Sequence, residues 1–320
     1  MRITHRLRAG AAAVVAALLL AGCGEAAAPK AAEEPSASAG DPGVVVALDD
    51  FAAINAISLG VQPDLVLDVF GYQTSKTLWT EFGLKTQPYG AELDIEKVIA
   101  ARPDVIIGSS IPTNVSQRDK LSKIAKTAIV DYTAGWQTQL RQTADALGRT
   151  SDADRVIGRV TGELATLKKD LAASPFAGQP ISVLSNNQGI YSVPERSGLG
   201  SLLRDAGLDR PAPQKATTDA TSPFVMVSAE DLKSHDGSAV FLMTGGAYDP
   251  KPITDSPLWP RLTAVASGKV YEVNAELWFG TSPFAVDWIL DDVRAALLGQ
   301  GRIGTANEAG RRLREFVAVR

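Results

Sequence analysis

The sequence predicts an α/β fold of two lobes with parallel sheets, joined by one long helix. Short β-branched runs alternate with helical patterns through most of the chain, as parallel α/β units do. From Trp136 to Ala173 the alternation stops and only helical stretches remain. It then resumes, and the roughly 277 residues after position 43 suffice for two lobes of ordinary domain size.

The N-terminus precedes this body. Arg2, Arg6 and Arg8 lead into the apolar run Ala11 to Ala21, then Gly22, which reads as a secretory signal peptide over residues 1–22. The run is too short for a helix spanning a bilayer of about 30 Å. Leu20-Ala21-Gly22-Cys23 resembles the lipobox of bacterial lipoproteins, which implies lipidation of Cys23, the only cysteine in 320 residues. Residues 23–43 are rich in Ala, Pro, Ser and Glu with no apolar period, so they read as a flexible tether. Such an anchor holds the body at a membrane surface, outside the cytoplasm.

In the first lobe, 44–135, strands are expected at Val44–Leu48, Leu65–Val69, Val105–Ile107 and Ala128–Val130. Helices such as Phe51–Leu59 and Ile95–Ala101 lie between them. The linking segment, 136–175, holds two helical stretches meeting at Gly148. Ser151 and Asp154 form a capping-box pattern at the second, and Val156, Ile157, Val160, Leu164, Leu167 and Leu171 make its apolar stripe. In the second lobe, 176–320, strands are expected at Ile181–Leu184, Val240–Met243 and Val270–Val273.

Removing residues 1–23 takes away three of 32 basic residues and none of 36 acidic ones, leaving a net charge near −7. That argues against nucleic acid as a partner, which calls for a basic face. His235 is the only histidine beyond the signal, so the chain cannot build a site for bare zinc or manganese. A haem would have to use His235 or a tyrosine, and His235 in "KSHDGS" reads as a solvated loop residue. No Gly-x-Ser-x-Gly elbow or Gly-x4-Gly-Lys-[Ser/Thr] loop occurs, so an enzyme is disfavoured, although a glycosidase pair among the carboxylates stays open.

A quasi-repeat links the lobes. "LDIEKVIAARPDVIIG" parallels "VSAEDLKSHDGSAVFLMTG", with Asp94 and Ser228 as N-caps and Glu96 and Glu230 two residues after each. These glutamates stabilise helix starts through the dipole at least.

"VVVALDDFAAINAISLGVQPDLV", "LDIEKVIAARPDVIIG", "LSKIAKTAIVDY" and "SPLWPRLTAVASGKVYEVNAELWF", in that order behind a lipobox, resemble the iron-siderophore substrate-binding proteins of ABC importers. The likeness runs from about Val44 to the C-terminus. It implies two Rossmann-like lobes, a rigid linking helix with little hinge closure, and a ferric siderophore held in the interlobe cleft of a monomer. It also implies delivery to an ABC permease with a separate ATPase, with Glu96 and Glu230 docking onto that permease. No cofactor or protein ligand to the iron is expected, because the chelator fills the metal's coordination sphere.

Such a cleft needs aromatic rings near strand ends, where open α/β sheets place ligands. Trp278 ranks first, by resemblance. Tyr72, Trp79, Tyr191, Tyr248 and Phe279 follow, with Arg196 a candidate for a ligand oxygen. Core packing is the competing role for each ring; Trp288 reads as core, and Trp259 as packing a loop. The acidic charge and the scarcity of basic residues beside these rings lean toward a neutral or cationic chelate of the hydroxamate type. A cobalamin or haem receptor of the same architecture is the alternative, followed by an envelope lipoprotein with no role in transport.

Overall fold

The computed structural model describes residues 40–89, 92–215 and 224–319. The signal, Cys23 and most of the tether lie outside the described residues. In the first half, β1 (Val45–Ala47), β2 (Leu65–Asp68), β3 (Thr86–Pro88), β4 (Val105–Ser109) and β5 (Lys126–Val130) form a wholly parallel sheet, ordered β3-β2-β1-β4-β5. Parallel neighbours require crossovers. Here they carry α1 (Asp50–Ser58), α2 (Gln73–Phe82), α3 (Ile95–Ala101) and α4 (Pro112–Leu121). Along β1, Val45 and Ala47 enter one apolar cluster while Val46 and Leu48 enter another, so both faces of the sheet are covered. That double burial is why the strand reads as an unbroken apolar run.

The link consists of α5 (Trp136–Leu147) and α6 (Thr150–Ala172), a helix of 23 residues. Gly148 ends α5 at φ +68, a left-handed conformation that favours glycine. The expected capping box does not form. Helix α6 starts at Thr150, and its N-cap Arg149 makes no side-chain cap bond, while Asp154 instead pairs with Arg141 of α5 at 3.1 Å. The expected stripe does face inward, with Val156, Val160, Leu167 and Leu171 buried and Leu164 half-buried.

In the second half, β6 (Ile181–Asn186), β7 (Ile190–Ser192), β8 (Val225–Met226), β9 (Ala239–Thr244) and β10 (Val270–Asn274) are ordered β10-β9-β6-β7-β8. β10, β9 and β6 are parallel, but β7 pairs antiparallel to both β6 and β8, so this sheet is mixed where a parallel one was expected. The cause is local. Only Asn187, Gln188 and Gly189 separate β6 from β7, and a link that short permits only a hairpin. Around the sheet lie α7 (Gly198–Asp205), α8 (Ala212–Lys215), α9 (Lys251–Thr254), α10 (Thr263–Ala266), α11 (Ala275–Trp278), α12 (Pro283–Leu298) and α13 (Ala309–Ala318). Among the described residues no helix is long and apolar enough to cross a membrane.

One apolar cluster runs from the first sheet to the second, taking in Val45 and Ala47 of β1, the inward stripe of α6, Phe241 of β9 and Trp288 of α12. Helix α13 carries the chain back across to α2. Gly310 makes this approach possible, since a Cβ there would lie 2.6 Å from Glu81 Cβ and 2.7 Å from the Thr77 carbonyl. Arg314 of α13 bonds Glu81 at 2.7 Å. Two sheets sharing one core in this way cannot separate without exposing it.

At the α6–α12 contact Asp287 lies beside Glu163, with Arg159 at 3.7 Å from Asp287 and Asp291 nearby. Burial first, then Glu163, holds the Asp287 carboxyl well above the ordinary aspartate value of 3.8. The folded state therefore keeps this proton more tightly than the unfolded chain. Its stabilisation is complete below about pH 4 and is lost as pH rises through the raised native value. Asp287→Asn is expected to remove that slope, so that urea unfolding at pH 5 and pH 8 shows the variant gaining relative to the native protein at pH 8. Parallel slopes for the two proteins would contradict it.

Candidate ligand-binding site

β1 and β4 are neighbours whose next strands lie on opposite sides, which opens a crevice at their carboxyl ends. Asp49 fills it. One carboxylate oxygen accepts from the Ala52 N–H at 2.9 Å. The other accepts from the Ser109 N–H at 2.6 Å, the Ser109 hydroxyl at 2.9 Å and Asn114 Nδ2 at 2.8 Å. Burial pushes this carboxyl up and the four bonds oppose the shift. Asp49 is a structural clasp that spends its acceptors within the lobe.

Beyond the clasp, aromatic rings from both halves gather at the seam between the two sheets. From the first sheet, Phe51 lies 5.1 Å from Phe70, which stacks on Tyr72 at 5.1 Å and 15°. From the second, Tyr191 lies 4.5 Å from Phe224, and Phe279 lies 5.3 Å from both Phe224 and Tyr248. Tyr72 and Tyr248 lie near each other across the seam, which brings the two groups of rings together as one belt. All its rings are half-buried except Tyr191, which is buried. Burial raises both Tyr72 and Tyr191, the latter to about 12, so these phenols stay protonated as neutral donors and acceptors.

The seam has a second tie. Tyr72, at the N-cap of α2, makes no side-chain cap bond. Glu276 of α11 caps that helix from the other half, accepting from the Gln73 N–H at 3.2 Å, the Thr74 N–H at 2.9 Å and the Thr74 hydroxyl at 2.6 Å. A carboxylate at a helix N-terminus also meets the positive end of the dipole. Glu276→Ala strands these donors, Thr74's in a buried position, and is expected to cost about 1–3 kcal/mol in urea unfolding. An unchanged unfolding midpoint would remove Glu276 from this role.

The expected site residues divide. Tyr72, Tyr191, Tyr248 and Phe279 come together in the belt. Trp278 does not join it. It is fully buried, its ring lies 4.7 Å from Phe241, and its indole N–H donates to Asp292 at 2.8 Å. Trp278 is the last residue of α11, and the turn out of that helix aims the next residue, Phe279, at the seam instead. Trp79 is likewise core at 4% exposure, because it lies with Leu78 on the inward face of α2. Arg196 is exposed in the turn before Ser197, the N-cap of α7. Phe51, Phe70 and Phe224 were missed. Phe70 was findable, since it follows β2 by two residues as Tyr72 does by four.

Glu96 is exposed in the first turn of α3, where Asp94 accepts from the N–H groups of Glu96 and Lys97. Glu230 is exposed in a turn after β8, but a 3-10 turn over Leu232–His235 follows it rather than the expected helix. His235 is no solvated loop residue. It is 3% exposed, with Nδ1 at 3.3 Å from Gln214 Nε2, and burial lowers its pKa. Trp288 is fully buried and Trp259 packs against the apolar cluster on the outer face of the second sheet. Among the described residues, no three or more His, Cys, Asp and Glu side chains converge as a metal site would need.

Known proteins are similar to this chain in sequence or in fold. The "Probable siderophore-binding lipoprotein YfiY" of Bacillus subtilis (strain 168) is 28% identical over 232 residues, 68% of each chain. The "Iron(3+)-hydroxamate-binding protein FhuD" of the same organism is 26% identical over 216 residues, 65% of this chain and 67% of that one. The crystal structure of Staphylococcus aureus SirA matches with a TM-score of 0.69 at 20% identity, over 82% of this chain and 100% of that one, and shares the fold. The family model described as "Periplasmic binding protein" matches residues 83–277, more than half of the sequence, and the chain belongs to that family.

Proposed function

We propose that this protein captures a ferric siderophore, of hydroxamate type, in the cleft between its two halves and hands it to an ABC permease served by a separate ATPase. The lipid on Cys23 would hold it outside the cytoplasm at the membrane. The observation that carries the reading is the aromatic belt built from rings of both halves, with neutral phenols and no metal-ligand cluster among the described residues. A chelate whose iron is already saturated needs that kind of surface, since ring faces and a few hydrogen bonds suffice to hold it. The names of the two Bacillus relatives support the cargo class. His235 is too buried to offer itself to a haem.

The test is calorimetric titration of the purified protein with ferric hydroxamate, ferric catecholate and ferric citrate chelates, and with cobalamin. Saturable binding of the hydroxamate in the micromolar range or tighter is expected. Saturation by cobalamin alone would move the protein to a different cargo, and heat from none of the four would remove the receptor reading.

A further inference from the structure

Behind Tyr72 the seam encloses a cavity of about 20 Å³ whose lining includes Asp50, Phe51, Tyr72, Thr74, Ser75 and Glu276. That is room for about one water-sized group. The two carboxylates on its wall differ in kind. Both oxygens of Glu276 are taken up by α2. Asp50 is 1% exposed, with one oxygen accepting from the Val69 N–H at 3.1 Å and Ser75 beside it on the cavity wall. Among the described residues, nothing donates to its Oδ1.

Buried acceptors are almost always paired, so an orphan oxygen at a cavity calls for a donor from outside the chain. No lysine or arginine lines the cavity to serve as one. Burial first, with Asp68 and Asp49 adding to it, pushes the Asp50 carboxyl up to about 7. A cation arriving beside it would restore the charged form.

We propose that this cavity is a cation subsite of the cleft, in which Asp50 receives a primary ammonium group carried by the bound chelate. The inference rests on the receptor reading and names the cargo more closely. An ammonium is compact, positively charged and brings three N–H donors, which matches a water-sized space beside an unpaired carboxylate oxygen. The iron-bearing body of a chelate is far too large to enter and stays against the rings. Only a terminal group reaches Asp50, past Phe51 and Tyr72, which belong to both cavity and belt. A pendant carboxylate would meet repulsion there, and a pendant amide would bring less charge and more bulk.

The test compares three linear ferric trihydroxamates in calorimetry with the purified protein. One ends in a primary amine, one in its N-acetyl derivative and one in its trimethylammonium derivative. The amine form is expected to bind at least tenfold tighter than the other two. The trimethylammonium form keeps the charge but has no N–H and exceeds the cavity. In Asp50→Asn the three affinities should converge on that of the acetylated form. Equal affinity of the amine and trimethylammonium forms, or of all three, would overturn the subsite and leave the receptor reading standing. Both comparisons on the native protein hold whether or not the variant folds. Failure of all three to bind would overturn both.

Discussion

Trp278→Ala is expected to cost the fold about 3–5 kcal/mol, the range for deleting a large buried aromatic side chain. The ring is fully buried, packs on Phe241 and donates its N–H to Asp292. Truncation opens a cavity inside the cluster shared by both sheets, and neighbours anchored in α12 and β9 cannot collapse fully into it. It also removes a donor from Asp292, a buried carboxyl already raised to about 6 by desolvation, whose remaining support includes the Gly304 N–H at 2.8 Å. Trp278→Phe weights the two contributions differently, since it keeps much of the packing but loses the hydrogen bond, for about 1–3 kcal/mol from the bond. Chelate affinity of the folded fraction should stay near native in both. A variant that unfolds with the native midpoint yet no longer binds chelate would return Trp278 to the cleft.

The second large effect concerns delivery. Glu96→Ala combined with Glu230→Ala is expected to abolish iron uptake by cells while leaving chelate affinity and stability close to native. Both carboxylates are exposed, and the start of α3 rests on Asp94, which accepts two backbone N–H bonds. Removing Glu96 should therefore cost only the few tenths of a kcal/mol of a helix-dipole contact. Helix capping alone predicts a small stability loss with normal uptake, and docking predicts lost uptake with normal stability. A large fall in affinity in the double variant would place these residues in the binding site and sink the docking role.

The strands and the linking helix were legible because their burial is written as period. β1 and β9 are buried on both faces and read as apolar runs, and α6 buries one stripe at helical spacing. The three strands that were missed lack that signature. β3 is three exposed residues ending in Pro88, and β7 and β8 are only three and two residues long. The site was half legible. Proximity to strand ends found Tyr72, Tyr191, Tyr248 and Phe279 but could not tell Trp278 from Phe279, because one residue at the end of a four-residue helix turns a ring from the core to the cleft. The Glu276 tie was invisible in the sequence, since its partners lie about 200 positions away on α2.

Whether the aromatic belt holds the chelate is read from the Kd of a ferric hydroxamate for the native protein and for Tyr72→Ala combined with Phe279→Ala. One ring comes from each half, and both are half-buried, so the fold should tolerate their loss better than that of Trp278. Affinity is expected to fall at least tenfold, about 1.4 kcal/mol, with the unfolding cooperativity of the native protein retained. An unchanged Kd in the double variant would place the chelate somewhere other than the belt.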